Sequence, residues 1–241
     1  MKIDIASRDE RYKYLCTLLN NSGHTARIVN REEIEFPDAL ILPIKREHTD
    51  DELYAISKRI NKDAKVFYGG DEFVRQSFRA EFVDYSKNEY FLLDNARITA
   101  EAFFTVWQRE VKESLLGKKI LISGYGRIGK YLAKMLSSFG AKIYVFARRD
   151  EVKLQAQNDG FFSVDLAEST MVDAVINTVP SVIYNCDLLS EIPKDTYLFE
   201  LASKTGFEET EGVVFALGLP GKILPKSAAE AIYNAVISYL D

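Results

Sequence analysis

The sequence predicts an α/β protein built from two open parallel-sheet domains. Residues 118–149 contain a buried strand, a turn with three glycines, an amphipathic helix and a second strand. The first 86 residues also alternate short apolar strand patterns with helical patterns, which indicates another parallel sheet. A chain of 241 residues is long enough to form two domains of this kind.

Residues 1–93 are predicted to form a flavodoxin-like N-terminal domain that carries substrate and catalytic groups. Thr49 and Glu52 are spaced as a capping box at the start of its second helix. The predicted strands of this domain are 3–5, 26–29, 39–44, 64–68 and 82–85, and its predicted helices are 9–21, 49–60 and 71–78. A helix over 94–117 then bridges the two domains, because Phe103, Val106 and Trp107 follow helical spacing.

Three glycines mark the beginning of the C-terminal domain. Gly124 permits a tight turn, Gly126 lets the backbone approach a pyrophosphate, and Gly129 lets the following helix lie close to the strand. An ordinary strand–turn–helix without a ligand is the alternative, but a bare turn rarely needs glycine at all three offsets. We therefore predict a Rossmann dinucleotide-binding domain over 118–225, with Gly124, Tyr125, Gly126, Arg127, Ile128 and Gly129 around the phosphates.

The second strand of this domain ends without the carboxylate that usually binds the ribose 2′-hydroxyl of NAD. It reads Phe146-Ala147-Arg148-Arg149 instead. Guanidinium groups pair with phosphate oxygens, so Arg148 and Arg149 favour the 2′-phosphate of NADP(H) over NAD(H). The alternative is that both arginines are solvated loop residues.

The later predicted strands are 161–164, 174–177, 197–201 and 213–217, and polar or glycine-containing loops follow the last three of them. Ligands of open parallel sheets bind outside the carboxyl ends of the strands, although each loop alone can also be ordinary turn chemistry. We therefore expect these loops to contact the cofactor through Thr178, Val179, Pro180, Ala202, Gly218, Leu219 and Pro220. The final helix, over 226–241, has an apolar face that we expect to pack back toward the first domain. Packing within its own domain is the alternative. Ser227 and Glu230 are spaced as its capping box.

Composition excludes several classes of protein. A net charge of −5 argues against nucleic acid as the main partner. No apolar run reaches the ~18 residues that span a bilayer, and a signal-peptide pattern is lacking, so we expect a cytoplasmic protein without a membrane partner. Cys16 and Cys186 fall in different predicted domains, which disfavours a disulfide. His24 and His48 both precede the glycine turn, and no residues have the spacing of a metal site.

Several motifs occur in an order that resembles the A subunit of dipicolinate synthase. They are Asn95 with Thr99-Ala100-Glu101, the glycine turn, Ile176-Asn177-Thr178, Leu201-Ala202-Ser203 and Gly218-Leu219-Pro220-Gly221 followed by Pro225-Lys226. The resemblance implies oxidation of dihydrodipicolinate to dipicolinate with a nicotinamide cofactor, during sporulation, beside a second, flavoprotein-like subunit. It also implies a small dicarboxylate substrate, and we expect the chain to form a homo-oligomer.

The resemblance suggests roles for individual side chains. Two substrate carboxylates require cations, for which Arg97, Lys204, Lys222 and Lys226 are candidates, and Thr99 lies where it can help to hold an anion. Glu101 or Ser203 is the expected catalytic group that passes on the ring proton. Two other functions stay open: a dehydrogenase or reductase of another small carboxylate, and a subunit that senses NADP without turnover.

Overall fold

A computed structural model describes residues 1–70 and 72–240 and divides the chain into two compact units. The N-terminal unit comprises Met1–Asn95 and Pro220–Asp241, and the C-terminal unit comprises Ala96–Leu219. The N-terminal unit is therefore built from two separate stretches of the chain. None of the described helices combines the length and apolarity needed to cross a membrane.

Five parallel strands form the sheet of the N-terminal unit, in the order β2-β1-β3-β4-β5. The strands are β1 (Lys2–Ile5), β2 (Thr25–Ile28), β3 (Ala39–Ile41), β4 (Lys65–Tyr68) and β5 (Glu81–Asp84), and the helices between them are α1 (Arg11–Asn21), α2 (Asp50–Ser57) and α3 (Glu72–Ser77). The strand order is that of a flavodoxin-like doubly wound sheet. The capping box of Thr49 and Glu52 is confirmed at the start of α2. The predicted start of the third helix, Asp71, lies outside the described residues.

Helix α4 (Glu89–Glu110) contributes residues to both units. It begins and ends several residues earlier than the sequence pattern predicts. The side chain of Asn88 accepts a hydrogen bond from the Phe91 N–H at 3.1 Å and so starts the helix. Lys112 adopts a left-handed conformation with φ +58°, which stops the helix well before Gly117.

Six parallel strands form the sheet of the C-terminal unit, in the order β11-β10-β9-β6-β7-β8. The strands are β6 (Lys119–Ser123), β7 (Lys142–Phe146), β8 (Phe162–Ser163), β9 (Ala174–Asn177), β10 (Tyr197–Glu200) and β11 (Val213–Phe215), and the helices are α5 (Arg127–Ser138), α6 (Asp150–Asn158) and α7 (Cys186–Glu191). The predicted fold class, two parallel-sheet domains with a Rossmann domain in the C-terminal part, is confirmed. The strand order reverses between β6 and β9, so the switch point of the sheet lies there.

Two helices close the chain: α8 (Leu219–Ile223) and α9 (Pro225–Val236). The predicted capping box of Ser227 and Glu230 is wrong, because α9 already begins at Pro225. Proline is favoured at the first helical position, since its fixed φ suits the helix and its missing N–H is not needed there. Within the N-terminal unit α9 packs against α1, and the hydroxyls of Ser22 and Tyr233 are 2.7 Å apart.

A partly buried ion pair explains one glycine of the Gly-Leu-Pro-Gly motif. The Arg11 guanidinium binds the Asp9 carboxylate through Nε at 2.9 Å and Nη2 at 2.6 Å. Its Nε atom would lie 2.7 Å from a Cβ placed on Gly221. Gly221 therefore makes room for the arginine within the N-terminal unit, and any larger residue would displace this ion pair.

Candidate nucleotide-binding site

The three glycines of the turn between β6 and α5 have different surroundings. Gly124 has φ +95°, and a Cβ there would lie 2.5 Å from the Thr178 hydroxyl oxygen. A Cβ on Gly129 would overlap the carbonyl oxygen of Gly124, so this glycine lets α5 lie against the turn. A Cβ on Gly126 would have no described protein atom within 4 Å. Two of the glycines therefore serve the packing of the chain, whereas the third leaves open space in front of the helix.

The N-terminus of α5 faces this open space without a side-chain cap. Gly126 is the N-cap residue and has no side chain that can accept a hydrogen bond from the first turn. The first N–H groups of a helix have no acceptor within it, and the helix dipole adds a partial positive charge. The start of α5 can therefore bind an anion such as a pyrophosphate.

A groove of about 440 Å³ extends from the glycine turn to the end of β7. Its lining consists of Gly124, Tyr125, Gly126, Phe146, Ala147, Arg148, Arg149, Val152 and Val179. The apolar side chains among these residues offer a surface for a flat purine ring, and both ends of the groove attract phosphate. This arrangement suits the adenosine half of a dinucleotide.

Two arginines lie at the β7 end of the groove. Both Arg148 and Arg149 are exposed, and within the described part of the chain neither guanidinium forms an ion pair. The first acidic residue after them, Asp150, is already paired with Lys153 at 3.1 Å. Two arginines therefore lie where a Rossmann domain distinguishes the 2′-phosphate of NADP from the 2′-hydroxyl of NAD. The nearest carboxylate in the sequence, that of Asp150, forms an ion pair with a lysine.

Tyr125 anchors the glycine turn to the protein. Its hydroxyl donates a hydrogen bond to the Asp159 carboxylate at 2.6 Å, and its ring meets Phe161 edge to face. Burial and the neighbouring Asp159 carboxylate raise the pKa of Tyr125. Because the hydroxyl is committed to Asp159, only the ring and backbone of Tyr125 are available to the groove.

Three buried polar residues occupy adjacent positions at the carboxyl edge of the C-terminal sheet. Ser123, Asn177 and Glu200 end β6, β9 and β10, and each pairs in register with its neighbour across the strands. The Thr178 hydroxyl donates to the Ser123 carbonyl oxygen at 2.8 Å and fixes the loop after β9 against the glycine turn. The hydroxyls of Ser123 and Tyr184 also form a hydrogen bond.

Glu200 is 1% exposed, and its carboxylate accepts hydrogen bonds from two backbone N–H groups. Burial raises the pKa of Glu200, and hydrogen bonds from the Gly206 and Ala202 N–H groups offset part of that increase. The sequence patterns assigned no role to Glu200, Asn177 or Tyr184. The one signal available was that Asn177 and Glu200 each end a continuous apolar strand, where polar residues face a ligand site.

The predicted substrate residues lie on several elements. Arg97 and Glu101 are exposed on α4 and form an ion pair of 3.3 Å, whereas Thr99 is buried. Ser203 and Lys204 are exposed on the loop after β10. All five belong to the C-terminal unit, while Lys222 and Lys226 belong to the N-terminal unit, on α8 and α9. The fold thus brings Arg97 and Glu101 into direct contact and distributes the other candidates over separate elements.

The remaining predicted cofactor residues belong to the C-terminal unit, except Pro220, which belongs to the N-terminal unit. Pro180 is exposed beyond the groove, and Ala202 is buried with its N–H on Glu200. Gly218 has φ +67° and leads into Leu219 and Pro220, both buried at the start of α8. The two histidines are in the N-terminal unit, where His48 Nε2 lies 2.8 Å from the Ala6 carbonyl oxygen.

The chain is similar in sequence to known proteins. Residues 94–203 match the D-isomer specific 2-hydroxyacid dehydrogenase family, NAD binding domain. The A subunit of dipicolinate synthase from Bacillus subtilis (strain 168) is 29% identical over 157 residues, which cover 61% of this chain. The chain is therefore similar in sequence to a dipicolinate synthase A subunit, and its residues 94–203 are similar to an NAD-binding domain. The aligned segment spans about half of that relative, 53% of its length.

Solved structures of dipicolinate synthase A subunits share the fold. The Bacillus halodurans protein has a TM-score of 0.82 and 20% identity, with 99% of this chain and 97% of that chain covered. The Bacillus subtilis protein has a TM-score of 0.78 and 21% identity, with 100% and 95% covered. The transhydrogenase of Sinorhizobium meliloti has the same fold, with a TM-score of 0.73, 14% identity, and 99% and 93% covered. These structures share the fold of this chain, and the match of residues 94–203 to an NAD-binding domain supports a nicotinamide dinucleotide as the cofactor.

Proposed function

We propose that this chain oxidises dihydrodipicolinate to dipicolinate with NADP⁺ as the hydride acceptor. The observation that carries the proposal is the groove between the glycine turn and the exposed Arg148 and Arg149. Sequence similarity to a dipicolinate synthase A subunit supports the substrate, and the arginine pair supports NADP.

The residues of the chain suit oxidation of a dihydropyridine ring. One hydride passes from a ring carbon to the nicotinamide, one proton leaves the ring, and the products are dipicolinate, NADPH and H⁺. Aromatisation favours the step, and no alcohol has to be deprotonated. A histidine base, which dehydrogenases of alcohols often use, is therefore not required in the C-terminal unit.

Other side chains of the protein bind the substrate carboxylates and accept the ring proton. Arg97, Lys204, Lys222 and Lys226 are cations for the two substrate carboxylates, and Thr99 supports the segment that carries Arg97. Glu101 lies beside Arg97 and is one candidate acceptor for the ring proton, with Ser203 the other. We further propose that the protein works as a homo-oligomer beside a second, flavoprotein-like subunit.

The proposed activity is tested directly with the purified chain, freshly prepared dihydrodipicolinate and NADP⁺. We expect growth of the reduced-nicotinamide absorbance band, with or without the flavoprotein-like partner, and no growth when either substrate is omitted. Turnover of another small carboxylate instead of dihydrodipicolinate would identify a different dehydrogenase. Measured NADP⁺ binding without turnover of any of these substrates would contradict the proposed reaction and identify a protein that senses the nucleotide.

Arg148→Ala is expected to weaken NADP⁺ binding by about 10- to 100-fold, the range for hydrogen bonds to charged groups. The affinity for NAD⁺, which lacks the 2′-phosphate, should change little. Isothermal titration calorimetry with both nucleotides measures the effect. Arg109→Ala is the matched control, because Arg109 is exposed in the same unit and pairs with Glu110 at the end of α4. Equal losses for NAD⁺ and NADP⁺ would show that Arg148 does not read the 2′-phosphate.

A further inference from the structure

A buried carboxylate beneath the carboxyl edge of the C-terminal sheet has no role in the chemistry described above. Glu200 is the only acidic residue that is fully buried among the described residues of this unit. A buried carboxylate is costly unless hydrogen bonds compensate for lost water. A carboxylate that is buried at the end of β10 therefore needs hydrogen-bond donors around it.

The carboxylate joins two loops of the chain. The Ala202 N–H donates to Oε1 at 2.8 Å, and the Gly206 N–H donates to Oε2 at 2.6 Å, so the first half of the loop after β10 is fixed at two points. The Asn177 amide lies 2.9 and 3.0 Å from the two oxygens and also donates to the Val179 carbonyl oxygen at 2.9 Å. One carboxylate thus fixes the loop after β9 and the loop after β10.

Gly206 shows how tightly these loops are packed. A Cβ on Gly206 would overlap the side-chain amide of Asn177. The loop after β10 therefore returns to within contact of the last residue of β9. Ser203 and Lys204, the exposed residues at the tip of this loop, depend on that return for their position.

The two loops lie on the side of the switch point opposite the adenosine groove. The groove is lined mainly by residues at the ends of β6 and β7 and takes only Val179 from the loop after β9, whereas the other residues that Glu200 fixes follow β9 and β10 outside the groove. A dinucleotide binds across the switch point of an open parallel sheet, with one nucleotide on each half. If the adenosine half occupies the groove, the nicotinamide half lies over the two loops.

We propose that Glu200 is a positioning residue that fixes the binding surface for the nicotinamide half of the cofactor. It acts through the loops after β9 and β10 and does not contact the cofactor. The proposal rests on the proposed function in one respect, the binding of a nicotinamide dinucleotide in the groove.

The test compares two ligands that share the adenosine half. NADP⁺ carries the nicotinamide, whereas adenosine 2′,5′-bisphosphate lacks it. Glu200→Gln keeps the shape of the side chain but turns an N–H₂ group toward a backbone N–H donor. We expect this variant to weaken NADP⁺ by about tenfold or more, the effect of a lost hydrogen bond to a charged group, and to leave the bisphosphate unchanged. Calorimetry gives both dissociation constants, and amide hydrogen exchange at Ala202 and Gly206 should become faster.

Glu110→Gln is the control, because Glu110 lies at the end of α4, pairs with Arg109 at 2.6 Å and is outside both loops. It should leave both ligands unchanged. Gly206→Ala is a second variant with an intact carboxylate, and it should reproduce the selective loss by displacing Asn177. Equal weakening of both ligands, or no change in either, would overturn the positioning role. Failure of both ligands to bind the wild-type protein would instead refute the cofactor site itself.

Discussion

Gly126→Val is expected to abolish binding of both NADP⁺ and NAD⁺ while the protein stays folded. A Cβ at this position points into space without described protein atoms within 4 Å, so the unliganded chain accommodates the side chain. The backbone at Gly126 is extended, with φ −80° and ψ −161°, which valine adopts readily. The same space lies in front of the first turn of α5, where a pyrophosphate would sit, so the valine methyl groups would exclude it.

Calorimetry should show a loss of at least about 100-fold in affinity, or about 2.8 kcal/mol, for each nucleotide. Thermal denaturation should show a change in stability of no more than about 1 kcal/mol, because glycine is only a moderately better N-cap than valine. Wild-type affinity in this variant would mean that the nucleotide does not approach the start of α5. A large loss of stability would mean that the space is needed for folding.

Gly129→Ala is expected to have the opposite effect, a loss of stability. Its Cβ would overlap the Gly124 carbonyl oxygen, which is backbone and cannot move without displacing the turn. Overpacking of this kind costs about 1–3 kcal/mol. Alanine is the better helix former by at most about 1 kcal/mol, so the substitution should still be destabilising.

Urea denaturation of Gly129→Ala, followed by circular dichroism, measures this loss. Ser138→Ala is a suitable control, since Ser138 is an exposed residue of the same helix whose hydroxyl donates to the Met135 carbonyl oxygen. An unchanged midpoint for Gly129→Ala would show that α5 shifts away from the turn at little cost. The contrast between positions 126 and 129 separates a glycine that serves a ligand from one that serves the fold.

Local patterns were sufficient to predict the glycine turn, its flanking strands and the arginine pair, because each lies within a few consecutive residues. Local patterns do not predict hydrogen-bond partners that are far apart in the sequence. Nothing adjacent to Glu200 indicates that Asn177, 23 residues earlier, binds its carboxylate. Similarly, Tyr125 was placed with the phosphates because of its position in the turn, and its hydroxyl partner Asp159 is 34 residues away.

The boundaries of helices were predicted less well than their existence. Spacing of apolar residues identified α4, but a side-chain cap from Asn88 and a left-handed residue at Lys112 decide where it begins and ends. At the C-terminal helix two start signals competed. The fixed backbone of Pro225 decided the outcome over Ser227 and Glu230, since it acts without any hydrogen bond.

The split composition of the N-terminal unit has a consequence for synthesis on the ribosome. Its five strands emerge first, yet the helix that covers α1 is translated only after the whole C-terminal unit. Until α9 leaves the exit tunnel, the side of α1 that it covers remains exposed to water in the nascent chain. The N-terminal unit can therefore be completed only after the C-terminal unit, Ala96–Leu219, has been translated in full.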